Sequence, residues 1–135
     1  MSPLRRPLAN VPNRLQQRVL IWVLVFVVYA GAHVFDLVDG GLDVYGWAPR
    51  PVEYLLLALV LLEIAVILLV VIRQAGIALG VAVALAEVAL NGYGAFSGRS
   101  PVDFPTVGLP ALALLAVFVL VTAPGLWAPQ HAPTP

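Results

Sequence analysis

Four apolar stretches, each long enough for a helix to cross a membrane, dominate this chain of 135 residues. They cover about residues 17–36, 52–72, 75–96 and 104–123, and a helix needs about 20 mostly apolar residues to cross a hydrocarbon core of roughly 30 Å. Only 10% of the residues are charged, against about 25% in soluble proteins, so lipid must solvate most of the surface. The sequence therefore predicts an all-α integral membrane protein, a four-helix bundle in one domain.

The segments that flank the spans are predicted to lie outside the membrane. Residues 1–16 are expected to form a cytoplasmic N-terminal segment, and the proline-rich residues 124–135 a flexible tail. The first span also fits a cleaved signal peptide, because Arg5 and Arg6 precede an apolar run that ends in the small residues 30–32. We favour a span because this run is long enough to cross the membrane.

Arginine placement predicts the orientation of the bundle. Basic residues near span ends are retained on the cytoplasmic side. More arginines fall at one end of the predicted bundle than at the other: Arg5, Arg6, Arg14, Arg18 and Arg73 against Arg50 and Arg99. The chain is therefore predicted to run up, down, up and down through the plasma membrane, with both termini in the cytoplasm.

Two glutamates inside the second and third spans are the most informative residues. Glu63 and Glu87 lie at similar distances from the short turn at residues 73–74, so they are expected at similar depth near the bilayer centre. A charged group there costs about 2.5–3.5 kcal/mol, and two carboxylates in one apolar space repel each other. With Asn91 one turn beyond Glu87, the pair predicts a site for a proton, a cation or a ligand.

A stripe of small residues precedes Glu87 on the third span. Gly76, Gly80 and Ala84 recur at four-residue steps, and Glu87 and Asn91 continue the same helix face. Small residues let helices approach closely in membranes. We therefore expect this stripe to be a helix-packing surface.

A second polar group lies at the outer end of the first span. Tyr29, His33 and Asp36 share one helix face, and Glu53 begins the second span. Because Asp36 is placed to fix the tautomer of His33, these four residues form a candidate outer-leaflet site. The alternative is an ordinary interfacial helix end, with Glu53 favoured there by the helix dipole.

The sequence excludes several classes of site. The chain has no cysteine, and its seven basic and seven acidic residues balance, so neither thiolate chemistry nor a nucleic-acid partner is expected. No phosphate-binding loop, serine nucleophile elbow or pair of histidines at metal-ligand spacing occurs. No metal site and no cofactor motif is therefore predicted, and a quinone or a lipid is the candidate small-molecule ligand.

The centre of the sequence resembles a known family. A glutamate in an apolar helix, a tight arginine turn and a helix rich in small residues follow one another, beginning with LLEIAVILLVVIRQAG at residues 61–76. Over residues 54–96 this pattern resembles the DoxX-like group of small four-helix membrane proteins. That group includes a subunit of an archaeal thiosulfate:quinone oxidoreductase and relatives of methylamine-utilisation membrane proteins. The resemblance implies a bacterial or archaeal subunit of a membrane complex.

A shorter resemblance concerns residues 36–55. An aspartate at a helix end, an aromatic loop and then Pro51, Val52 and Glu53 resemble part of the membrane-embedded lycopene cyclases of bacteria and archaea. In those enzymes a proline–acid motif protonates a polyene. They typically carry paired glutamates, whereas Tyr54 stands at the second position here.

These features fit three functions. The first prediction is a non-catalytic accessory or assembly subunit of a larger respiratory or redox membrane complex, with other membrane subunits or a second copy as partners. The second is a small proton- or cation-coupled transporter that uses Glu63 and Glu87. The third, an enzyme, would act on a lipid, an isoprenoid or a quinone through Glu53, Asp36 and His33.

Overall fold

The computed structural model describes residues 13–70, 74–99 and 108–127, and this part of the chain is all-helical, without β-strands. The four α-helices are α1 (Asn13–Gly40), α2 (Arg50–Leu69), α3 (Gln74–Ser97) and α4 (Gly108–Trp127). Each is long and apolar enough to cross a membrane. The predicted all-α architecture with four such helices is therefore confirmed for the described residues.

The last helix continues four residues beyond Ala123, the predicted end of the fourth span. Pro124, which should end this span according to the sequence, lies inside α4, and the helix continues to Trp127. Proline is tolerated in membrane helices when neighbouring groups compensate for the lost backbone hydrogen bond. Leu126, beyond the proline, is fully buried, so the final turn still packs against the bundle. Residues 124–127 thus belong to the helix and not to the tail.

Some of the predictions concern residues outside the described ranges. The predictions for residues 1–12, 100–107 and 128–135 lie outside them. Three of the arginines used to predict orientation, Arg5, Arg6 and Arg73, also lie outside them. The described arginines Arg14 and Arg18 lie in the first turns of α1, Arg50 begins α2, and Arg99 follows α3.

The helices form a ring in chain order, with α1 in contact with both α2 and α4, and α3 in contact with both α2 and α4. The indole Nε1 of Trp22 donates a hydrogen bond of 2.8 Å to Thr122 Oγ1, and the Tyr29 hydroxyl donates one of 3.4 Å to the Leu112 carbonyl. From Trp22 to Tyr29 the chain runs forward along α1, whereas their partners on α4 run backward, from Thr122 to Leu112. The first and last helices therefore pack antiparallel.

A column of aromatic side chains from α1 fills the bundle. Trp22, Phe26 and Tyr29 are all buried, and successive ring centroids lie 5.9 Å and 5.7 Å apart. Their three- and four-residue spacing keeps them on one helix face. His33 is the next residue on that face, so the same periodicity turns it towards the bundle interior.

The small-residue stripe of α3 is used inside this chain. A Cβ atom placed on Gly80 would lie only 2.7 Å from Cζ3 of Trp22, and one on Gly76 would overlap the backbone of Val70. Ala84 is fully buried. Because Gly76 and Gly80 have no side chain, α3 can approach the aromatic column and the end of α2 closely.

We predict that Gly80→Ala destabilises the fold, whereas Gly92→Ala does not. Alanine favours a helix over glycine by about 1 kcal/mol at both positions, but only at Gly80 must the rigid Trp22 ring move, a kind of overpacking that costs about 1–3 kcal/mol. A Cβ at Gly92 meets its nearest atom, in Leu109, at 4.0 Å. Thermal unfolding in detergent micelles, followed by circular dichroism, measures both. Equal midpoints for the two variants would contradict the packing described above.

Candidate functional site

Three ionisable side chains from three helices meet inside the bundle. They are His33 of α1, Glu63 of α2 and Glu87 of α3, with exposed fractions of 7%, 0% and 1%. Each continues a buried helix face: His33 follows the aromatic column, Glu63 lies between buried Val60 and Val66, and Glu87 follows Val83 and Ala84. The helical repeat that buries the apolar residues therefore buries these polar residues as well. We call His33, Glu63 and Glu87 the central cluster.

The histidine ring is directed at both carboxyl groups. Nδ1 of His33 lies 3.1 Å from Oε1 and 3.2 Å from Oε2 of Glu63, and 3.6 Å from Oε1 of Glu87. One ligand-type atom from each of the three residues lies within 4.8 Å of the other two. An imidazole nitrogen and two carboxylate oxygens therefore face one small space.

The two carboxyl groups are held differently. Both oxygens of Glu63 face His33, whereas Oε2 of Glu87 accepts a hydrogen bond of 2.9 Å from Asn91 Nδ2. Asn91 Nδ2 also lies 2.9 Å from the backbone carbonyl of Glu87, which fixes the amide against its own helix. Among the described residues, Oε1 of Glu87 is buried and has no hydrogen-bond partner. A buried acceptor left in this state costs about 1–3 kcal/mol.

The loop between α1 and α2 covers one end of this cluster. Tyr45 is buried, its ring stands edge-on to His33 with centroids 6.3 Å apart, and its hydroxyl donates a hydrogen bond of 3.3 Å to exposed Asp36. Burial, together with the neighbouring Asp36 carboxylate, raises the pKa of the Tyr45 hydroxyl. The hydroxyl is therefore a neutral donor at pH 7.

Trp47 closes the same loop onto α3. A Cβ atom placed on Gly94 would lie 2.6 Å from Cη2 of the Trp47 ring. The absence of a side chain at Gly94 thus makes room for the indole. Tyr45 and Trp47 together form an aromatic cover at the loop end of the bundle.

The predicted outer-leaflet group is divided in the structure. His33 contacts Glu63 and Glu87, whereas Asp36 contacts Tyr45. Tyr29 is buried and directs its hydroxyl to α4. Glu53 is also buried, in the first turn of α2 behind Pro51. It lies ten residues before Glu63, or about 15 Å along the helix axis.

The sequence interpretation did not bring His33 together with the two glutamates. It paired His33 with Asp36 because they are neighbours on one helix, and it found no metal-ligand spacing because histidines are few. The structure instead supplies ligand-type atoms from three helices. The aromatic column was the available signal, since its face must point inward and His33 lies on it. Tyr45 belongs to the aromatic loop between the first two spans, but nothing in the sequence pattern indicated its contact with His33.

Searches of protein-family models, of curated proteins and of solved structures each found no match to this chain. The resemblance to the DoxX-like group therefore stays a prediction. The central cluster and its aromatic cover are the features of the molecule that bear on its function.

We predict that the two glutamates differ in their effect on stability. In Glu63→Gln, a neutral amide replaces the carboxylate that is hydrogen-bonded to His33. The weaker hydrogen bond lowers the free energy of unfolding by about 1 kcal/mol. Glu87→Gln is expected to lower it less, because Oε1 makes only the 3.6 Å contact with His33 Nδ1 and no hydrogen bond, and the amide oxygen still accepts from Asn91. Thermal unfolding in detergent measures both variants. A larger loss for Glu87→Gln would contradict the asymmetry.

Proposed function

We propose that this protein is a small cation carrier of the plasma membrane, with the central cluster as its cation-binding centre. The observation that supports the proposal is the full burial of two carboxyl groups around one imidazole nitrogen, at 3.1 Å and 3.6 Å. A cation bound between the two carboxyl groups would neutralise their negative charge. The proposal narrows the second of the functions considered from the sequence, a small proton- or cation-coupled transporter that uses Glu63 and Glu87.

Stability does not explain why the three ionisable side chains of the central cluster are buried. Ionisable groups inside a membrane are costly and normally mark ion or proton pathways. Replacing buried ion pairs with apolar side chains is often neutral or stabilising. Glu87 retains an unpartnered oxygen among the described residues, which a purely structural contact would have avoided. Function is the physical reason to keep such a group.

The aromatic cover supplies a route to one side of the membrane. Tyr45 lies between exposed Asp36, to which it donates a hydrogen bond, and buried His33. A carrier must expose its binding centre to each side in turn. Movement of Tyr45 away from His33 opens the cluster towards Asp36, whose carboxylate attracts cations.

The accessory-subunit prediction has lost one of its supports. It relied partly on the stripe of Gly76, Gly80 and Ala84 as a surface for another subunit. In the structure this stripe packs against α1 and α2 of the same chain. The prediction of a partner complex stays open, and co-purification in mild detergent tests it.

The proposed orientation places both termini in the cytoplasm, with the Tyr45 loop outside. Because the chain has no cysteine, a single introduced cysteine is a unique label. We predict that Leu42→Cys in intact cells reacts with a membrane-impermeant maleimide, and that Gln17→Cys reacts only after permeabilisation. Both side chains are exposed. The reverse pattern would invert the orientation, and labelling of both without permeabilisation would contradict a fixed one.

The carrier function is tested by cation uptake into liposomes that contain the purified full chain. Uptake of Na⁺, K⁺, Mg²⁺, Ca²⁺, Mn²⁺ and Zn²⁺ is measured separately with ion-specific indicators or isotopes. We expect at least one of these ions to enter faster than in protein-free liposomes. Glu63→Gln and Glu87→Gln are each expected to reduce uptake to the protein-free level, because each removes a negative charge from the cluster.

Glu53→Gln is the matched control for this experiment. It removes a buried carboxyl group from the same helix as Glu63, but about 15 Å away along the axis, and it should transport like the unmodified chain. Circular dichroism and size-exclusion chromatography establish that each variant is folded. Uptake that survives in both cluster variants, or no uptake of any of the six ions, would refute the carrier proposal.

A further inference from the structure

We infer that the central cluster is a binding site for a first-row divalent transition-metal ion, and that this class of ion is the cation carried. The inference rests on the proposed function for the second of these statements only. The binding site itself is argued from the arrangement of His33, Glu63 and Glu87.

The spacing of the ligand-type atoms fits such an ion. Tetrahedral ligands at metal distances of about 2.0–2.2 Å lie about 3.3–3.6 Å from one another. Nδ1 of His33 lies 3.1 Å from Oε1 of Glu63 and 3.6 Å from Oε1 of Glu87. All three ligand-type atoms are within 4.8 Å of one another. Small side-chain shifts are therefore enough to surround an ion.

The unpartnered oxygen of Glu87 is the independent sign of a ligand. It is a buried atom of a side chain that is only 1% exposed, and it has no hydrogen-bond partner among the described residues. Nδ1 of His33 lies 3.6 Å away, beyond hydrogen-bond distance, and the facing carboxyl group of Glu63 can donate to it only when protonated. Asn91 meanwhile binds the other oxygen of the same carboxyl group. Hydrogen bonds of this kind orient metal-ligating carboxylates. Glu87 is thus held with one oxygen engaged and the other directed at the centre of the cluster.

The donor set selects the class of ion. An imidazole nitrogen suits zinc, iron, copper and nickel, and carboxylate oxygens accept these ions as well as manganese. Calcium takes six to eight oxygen ligands, and magnesium keeps most of its waters. A buried site with one nitrogen and two carboxyl groups serves neither of these two ions well. Two carboxylates also balance the charge of a divalent ion.

The number of ligands suits transport better than permanent storage. Structural zinc sites are closed by four protein ligands, whereas three protein ligands leave a position open. The cluster offers three ligand-type residues among the described residues. An open position lets an incoming ligand displace the ion, so a three-ligand site can release what it binds.

Metal binding is tested on the full chain in detergent, without transport. The protein carries no polyhistidine tag, is stripped with a chelator, and contains His131→Ala so that the tail imidazole cannot contribute. Zn²⁺ is measured by equilibrium dialysis with elemental analysis, and Co²⁺ by its visible absorption. We expect one Zn²⁺ per chain, an intense Co²⁺ spectrum that Zn²⁺ abolishes, and no displacement by equal concentrations of Mg²⁺ or Ca²⁺.

Variants locate the bound ion. Glu63→Gln and Glu87→Gln should each weaken Zn²⁺ binding by more than about 100-fold, and Asn91→Ala, which removes only an orienting hydrogen bond, by about 10–100-fold. Glu53→Gln should bind like the parent chain. Asn91→Ala leaves all three ligands in place, so it tests the site even if a ligand variant fails to fold. The inference is overturned if Zn²⁺ does not bind, or if its binding is unaffected by Glu63→Gln, Glu87→Gln and Asn91→Ala.

The two proposals fail separately. Zn²⁺ binding at the cluster without uptake of any ion into liposomes would refute the carrier function and leave the metal site. Cluster-dependent uptake of Na⁺ or K⁺, with no Zn²⁺ or Co²⁺ bound in detergent, would overturn the metal site and leave the carrier function.

Discussion

Lipid is the constraint on which the whole fold depends, because hydrocarbon is as apolar as the helix surfaces and gives them no hydrophobic reason to associate. Close packing and polar contacts must hold the helices together instead. The structure supplies both: Trp22 bonds Thr122 across α1 and α4, and His33 contacts Glu63 across α1 and α2. The large apolar side chains that remain exposed, such as Leu61 and Val121, are those that face lipid.

Close packing and the polar cluster are linked through α1. The residues that pack against the bare backbone at Gly80 belong to the helix face that ends in His33. Trp22 and Phe26 therefore set how near α1 comes to α3, and that distance determines whether His33 reaches Glu87. Gly80 and the ionisable cluster therefore lie along the same line of side-chain contacts between α1 and α3. A packing change at Gly80 is expected to alter the cluster two turns away.

Residue periodicity was enough to predict the four helices and most members of the site. Glu63 and Glu87 were identified because charge in an apolar helix is costly, and Asn91 because it lies one turn beyond Glu87 on the same face; both properties belong to a single helix. The partnership of His33 with the glutamates depends on how far α1 is rotated and shifted against α2 and α3. No property of one helix reports this, so the nearer Asp36 was chosen as its partner. The fold of the Tyr45 loop likewise depends on Gly94, which makes room for the Trp47 ring. This contact between distant residues is visible only in three dimensions.

The unequal support of the two carboxyl groups has a mechanical consequence. Glu87 is held by Asn91 four residues along the same helix, so a movement of α3 carries both residues together. Glu63 is held by His33 on another helix, so its contact changes whenever α1 and α2 move against each other. A shift of α3 relative to the other two helices would therefore change the distance from Glu87 to His33 without disturbing Asn91. One ligand-type group can therefore leave the cluster while the other two remain paired, and the proposed release of a cation would use this movement.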